Sequence, residues 1–143
     1  MRISLASDHG GFLLKQAIIR HLEGQGISCL DYGTTNSTDS VDYPDFVKPA
    51  CDALVKKSVD YAIVVCTTGI GVSIVANKQK GVRCALVTNS KQAELTRLHN
   101  DANCLALGAI NQTQEEAINF VDIFLKTKFS GEERHQRRID KIE

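Results

Sequence analysis

Residues 61 to 73 read YAIVVCTTGIGVS, and the organisation of the whole chain can be worked out from them. Tyr61 to Cys66 is continuously apolar and rich in β-branched residues, the pattern of a strand buried on both faces in a parallel sheet. Glycines at 69 and 71 break the run, and a helical spacing follows from Val72 to Lys78. Strand, glycine-bearing loop and helix in succession are the opening of a β–α unit.

The alternation continues in both directions. Upstream, Arg2 to Ala6 (RISLA) reads as a strand, and Phe12 to Glu23 as a helix with Leu14, Ala17, Ile18 and Leu22 on one face. Gly24 and Gly26 stop that helix, and Ile27 to Tyr32 supplies a second strand. A polar loop, GTTNSTDSVDYP, leads to a helix from Asp45 to Lys56, with Pro44 suited to its first turn. Downstream come a strand at Val82 to Thr88, a helix at Ser90 to Leu98, a strand at Cys104 to Leu107 and a helix at Gln114 to Leu125. The segment KFSGEERHQRRIDKIE closes the chain as a charged helical tail. Five strands with intervening helices predict a single doubly wound α/β domain over residues 1–143, a five-stranded parallel sheet with helices on both faces. In that architecture ligands bind beyond the carboxyl ends of the strands, at the point where strand order reverses.

Composition narrows the function. The chain has 143 residues, 43% hydrophobic and 24% charged, which fits one folded domain and excludes a disordered one. Seventeen Lys plus Arg balance seventeen Asp plus Glu, so the overall field favours neither nucleic acid nor an anionic membrane. An anionic ligand would have to be held by a local cluster. No apolar run approaches the roughly 18 residues of a membrane span. The opening MRISLASDHGG lacks the apolar core of a signal peptide, so a cytoplasmic location is expected. The five cysteines form no C-x-x-C and have no zinc-like histidine spacing, so neither a metal nor a disulfide framework is expected. Cys29, Cys51, Cys84 and Cys104 read as small buried hydrophobes, and His21 as an exposed residue of the first helix.

Three polar groups remain at element ends. Ser7-Asp8-His9-Gly10-Gly11 follows the first strand; an N-cap aspartate beside an exposed histidine is one reading, a binding pair another. Cys66-Thr67-Thr68-Gly69-Ile70-Gly71-Val72-Ser73 is either a tight turn or an anion-binding loop at a helix N-terminus. It lacks the Gly-Lys-Ser/Thr of a Walker loop, the G-x-G-x-x-G of a dinucleotide site and the arginine of a cysteine phosphatase. Cys66 stands near the amides of the following helix, a setting that in general favours a thiolate base or nucleophile; a buried end-of-strand cysteine is the plainer alternative. His99-Asn100-Asp101 precedes the last strand and so sits at the opposite end of the sheet from Cys66. A five-residue strand is about 17 Å long, so His99 can share a site with Cys66 only across a two-fold dimer. A helix-terminal histidine interacting with the helix dipole is the other reading. Arg134 and Arg138, four apart, form a solvated face or a two-pronged phosphate clamp.

In order along the chain, SDHGGFLLK, DYGT, DYP, CTTGIGVSIVANKQKGVR, RLHNDANCLALG and GEERHQRRI make it resemble the ribose-5-phosphate isomerase B family, which also includes bacterial galactose-6-phosphate isomerase subunits. The resemblance runs nearly end to end. It implies a Rossmann-like homodimer with composite active sites, able to pair further into a dimer of dimers, that interconverts ribose 5-phosphate and ribulose 5-phosphate without metal or cofactor. Cys66 matches the proton acceptor of the branch that uses cysteine. The other branch uses a glutamate later in the loop, and Ile70 to Ile74 contains no acid. By the same resemblance His99 opens the furanose ring and Thr68 orients the thiol or a sugar hydroxyl. Backbone groups of Thr67, Gly69, Ile70 and Gly71 stabilise the enediolate, Asp8 and Asn100 hold sugar hydroxyls, Tyr43 lines the cleft, and His9, Arg134 and Arg138 contact phosphate.

The chain departs from the family pattern at Thr67, commonly glycine, and at Ile110, commonly a phosphate-binding arginine. Arg137 is an extra basic residue on a different helix face from Arg134 and Arg138. These departures leave two further readings open: a phosphosugar-binding regulatory module without turnover, and an isomerase of a hexose 6-phosphate.

Overall fold

The computed structural model describes residues 1–143. Strands β1 (Arg2–Ser7), β2 (Ser28–Asp31), β3 (Tyr61–Cys66), β4 (Cys84–Leu86) and β5 (Cys104–Gly108) form one parallel sheet in the order β2-β1-β3-β5-β4. Six helices accompany it: α1 (Phe12–Gly24), α2 (Pro44–Val55), α3 (Ile70–Asn77), α4 (Ser90–Asn100), α5 (Gln114–Lys126) and α6 (Glu133–Asp140). The five strands, the helices between them and the helical tail are those expected from the sequence. β4 is shorter than expected, and α3 begins two residues before the apolar spacing does. No helix is long and apolar enough to cross a membrane.

The continuous apolar run of β3 is explained by its central place. Ile63 and Val65 point into one core with Ile3, Leu5, Leu105 and Leu107 of the neighbouring strands, under α1, α4 and α5. Ala62, Val64 and Cys66 point into the other, with Ala6, Cys104 and Ala106, under α2 and α3. Each strand residue is thus buried on one face or the other, and truncating a fully buried Ile63 to alanine should cost about 2–5 kcal/mol.

The distribution of helices follows from right-handed crossovers. The steps β2 to β3 and β3 to β4 run one way across the sheet and carry α2 and α3 on one face. The steps β1 to β2 and β4 to β5 run the other way and carry α1 and α4 on the opposite face. Strand order therefore reverses between β1 and β3, and the crevice opens beyond Ser7 and Cys66.

His21 departs from expectation. Its Nε2 lies 2.8 Å from Asp122 Oδ1 on α5, and the ring is half-buried. α5 packs alongside α1 and reaches over the edge of its apolar stripe, so the residue faces a neighbouring helix instead of solvent. Cys51 and Cys104 are buried as expected, but Cys29 and Cys84 are only partly so, because β2 and β4 are the sheet edges.

Candidate active site

Two groups of the expected residues are each brought together, at different places in the fold. The first gathers at the β1–β3 crevice. Asp8 is nearly buried, and its Oδ1 accepts the N–H of Gly11 at 3.1 Å, capping a short 3-10 turn over His9–Gly11. The N-cap reading of Asp8 therefore holds, while its neighbour is less exposed than that reading supposed. His9 is half-buried, and its Nδ1 accepts the N–H of Val41 at 3.2 Å. That bond leaves Nε2 as the proton-bearing nitrogen of a neutral ring.

Cys66 ends β3 directly under the start of α3. The N–H of Gly69 donates to its Sγ at 3.1 Å, and no other cysteine sulfur accepts a backbone hydrogen bond. Gly69 is required for this. Its φ of 78° lies in the left-handed region, and a Cβ there would fall 2.5 Å from Leu86 Cδ1 and 2.8 Å from the Gly108 nitrogen. The N–H groups of Thr67, Thr68 and Gly71 make no hydrogen bond within the chain, so the loop from the thiol through the first turn of α3 carries three free donors.

Thr68 Oγ1 accepts the N–H of Ile70 at 3.3 Å and is not bonded to the thiol; its side chain is exposed to the crevice. Thr67 is not in the left-handed region, so its backbone tolerates a side chain, and Thr67 Oγ1 sits directly over Gly10, where a Cβ would overlap it. Tyr43 stands against the same loop: a Cβ on Gly71 would lie 2.6 Å from its Cζ. Ile70 is exposed at the first turn of α3. Ile110 is 70% exposed, with its N–H on the Thr67 carbonyl.

The second group is at the end of α4. Cys66 pairs in register with Gly108, at the far end of β5 from Cys104, whereas His99 and Asn100 precede Cys104. Four residue steps of strand amount to about 13 Å. No hydrogen bond joins the two groups within the chain. α6 packs on α4, bringing Arg134 and Arg138 to the side of His99, and the His99 ring stacks on that of His135, centroids 4.3 Å apart. Both arginines are exposed, with Arg134 paired to Glu132 at 3.0 Å.

Several supporting residues escaped the sequence reading. Arg97, 5% exposed, donates to the Ala102 carbonyl and to Asp101 Oδ1, and lies over the rings of Tyr61 and Phe124. Arg83 Nε donates to the Asn100 carbonyl at 3.1 Å, and its guanidinium also reaches the Asp101 carbonyl. Two guanidiniums thus hold the turn after His99, in which Asp101 adopts φ 44°. Lys15 is fully buried, with Nζ 2.5 Å from Asp31 Oδ1 and 2.8 Å from the Thr34 carbonyl. Thr34 donates its N–H to Ser7 and Ser7 donates to Gly33, so this pair anchors the β2–α2 loop beside Asp8. A signal for Lys15 existed: it shares the 15, 18, 19, 22 spacing of a buried helix face.

Two of the other thiols, Cys104 and Cys29, are held protonated. Hydrogen bonding to Cys51 first, then to Cys84, with burial, pushes Cys104 well above the ordinary thiol range. Burial, followed by Glu23 and Asp31, pushes Cys29 up to about 11.

The family model described as ribose/galactose isomerase matches residues 3–142. The chain belongs to this family. It is similar to the solved ribose-5-phosphate isomerase B of Clostridium thermocellum, with a TM-score of 0.96 and 45% identity, covering 99% of this chain and 95% of that one. It is also similar to ribose-5-phosphate isomerase B of Mycoplasma genitalium, solved with bound ribulose-5-phosphate, with a TM-score of 0.94 and 46% identity, covering 99% of this chain and 93% of that one. A third relative is ribose-5-phosphate isomerase B of Mycolicibacterium paratuberculosis, 43% identical over 98% of this chain and 88% of its own length. The chain shares the fold of those proteins, with the two groups of residues described above at separate places in it. It also has threonine and isoleucine at positions 67 and 110.

Proposed function

We propose that this chain interconverts D-ribose 5-phosphate and D-ribulose 5-phosphate, in a homodimer whose sites each join the crevice of one subunit to the α4–α6 corner of the other. His99 of one subunit opens the furanose ring. Cys66 of the other, as thiolate, takes the proton from carbon 2 and returns it to carbon 1, while a second proton passes from oxygen 2 to oxygen 1. The cis-enediolate formed between these transfers carries its charge beside the N–H groups of Thr67, Thr68 and Gly71. One such donor is worth roughly 3 kcal/mol in the transition state. Asp8 and Asn100 hold sugar hydroxyls and Tyr43 closes one wall. His9, presenting Nε2–H, receives the phosphate together with Arg134 and Arg138.

The observation that carries the reading is the Gly69 N–H on Cys66 Sγ, with unpartnered amides in the loop that follows. The separation of Cys66 and His99 along β5 supports the dimer, since residues so far apart in one subunit can share a site only across two. It is tested by mixing: Cys66→Ala and His99→Asn proteins, each inactive alone, are unfolded together and refolded. Random pairing rebuilds one intact site in each mixed dimer, so about a quarter of wild-type activity returns. No recovery, or full activity in a monomer, would contradict the composite site.

A further inference from the structure

The stack of His135 on His99 has no part in the steps above. His135 is 6% exposed, and its ring lies 21° from parallel with that of His99. Its Nε2 is buried with no hydrogen-bond partner, an uncommon state for an imidazole that makes no other polar contact. The groups facing it are His99 from α4 and Glu132, Arg134 and Arg138 from its own segment. Burial first, then His99 and Arg134, lower its pKa. Protonation would bury an unpaired N–H beside a second imidazole and two guanidiniums, so the ring is held neutral. What it offers His99 is a flat uncharged face.

His99 needs such a support. Its side chain makes no hydrogen bond within the chain, and it stands in the last turn of α4. The stack fixes the plane of its ring, and the Ser130 N–H on the Leu98 carbonyl ties the segment entering α6 to the same turn.

We propose that His135 is a positioning residue, holding the His99 ring in the plane from which it opens the furanose and acting on no step at Cys66. This rests on the isomerase reading above. The two substrates separate the steps chemically. Ribose 5-phosphate is a ring that must open, whereas ribulose 5-phosphate has its carbon-5 oxygen esterified and cannot close to a furanose. Solvent-deuterium exchange at carbon 1 of ribulose 5-phosphate therefore reports enolisation without ring opening.

The test compares wild type, His135→Ala and His135→Phe in both assays. The alanine variant should lose about tenfold or more in kcat/KM on ribose 5-phosphate, the scale of a misplaced catalytic group, with carbon-1 exchange within about twofold of wild type. The phenylalanine variant, which keeps a flat uncharged face, should recover most of the forward rate. Parallel loss in both assays, no loss in His135→Ala, or a phenylalanine variant as slow as alanine would each overturn the proposal. Wild-type protein inactive in both assays would overturn the isomerase reading itself, a result distinct from these.

Discussion

The backbone N–H of Ile110 donates to the carbonyl oxygen of Thr67 across 3.1 Å, joining the two positions that the sequence resemblance singles out as departures. Thr67 also lies over Gly10, the residue after His9, so both substitutions bear on the same end of the crevice. An isoleucine there, 70% exposed, supplies no charge to a phosphate. Ile110→Arg should lower the KM for ribose 5-phosphate, since one charge-assisted hydrogen bond is worth about 1.5–3 kcal/mol, roughly tenfold to a hundredfold. Steady-state kinetics check this; an unchanged KM would mean that position 110 lies outside the phosphate subsite.

Gly69→Ala tests the loop. The left-handed backbone and the contacts with Leu86 and Gly108 leave no room for a methyl group. A stability loss of about 1–3 kcal/mol is expected in urea unfolding. Turnover should fall by a larger factor than stability alone explains, because the N–H on Cys66 Sγ is displaced. Full activity in this variant would remove that hydrogen bond from the account.

Lys15→Met removes a buried ammonium from Asp31 and the Thr34 carbonyl. Breaking a wholly buried pair costs about 3–5 kcal/mol. Asp31 is 37% exposed and regains water, so a loss of about 2–3 kcal/mol is expected. Denaturant midpoints measure it, and a change below about 0.5 kcal/mol, typical of surface sites, would show that the lysine does not anchor the loop.

The neutral His135 makes stability depend on pH. Its pKa is held below 6.5 in the folded chain, by burial first and then by His99 and Arg134, and returns to the ordinary value on unfolding. As pH falls below about 6.5 the unfolded chain binds a proton that the folded chain refuses, so stability is lost in that direction. The Tm of wild type should therefore drop more than that of His135→Phe between about pH 7.5 and 5.5. Equal slopes would contradict a histidine kept neutral by the fold.

Tyr61 to Cys66 was legible because a strand buried on both faces must be apolar throughout, and the positions of Asp8, His9, Cys66 and His99 at element ends followed from counting strands and helices. Strand order was not legible, since no local pattern states whether β5 inserts between β3 and β4. Thr68 illustrates a second limit: its hydroxyl caps the Ile70 N–H instead of meeting the thiol, a competition that only backbone geometry resolves. Arg83, Arg97 and His135 escaped because charged and polar side chains ordinarily face water. Arg97 and His135 are buried here, and Arg83 partly so, by contacts from segments distant in sequence, such as Arg97 with Tyr61, Phe124 and Thr127. His21 was misplaced for the same reason, its partner Asp122 lying on another helix.

The proposed transfer of a proton between carbons 2 and 1 by Cys66 is tested most directly in deuterium oxide. Wild type and Cys66→Ala are each incubated with ribose 5-phosphate in deuterium oxide, and ribulose 5-phosphate formation and deuterium content are followed by NMR. Wild type should form the ketose and exchange deuterium at the transferred position. Cys66→Ala should do neither while still binding the sugar phosphate. Ketose formation by Cys66→Ala at the wild-type rate would contradict the account.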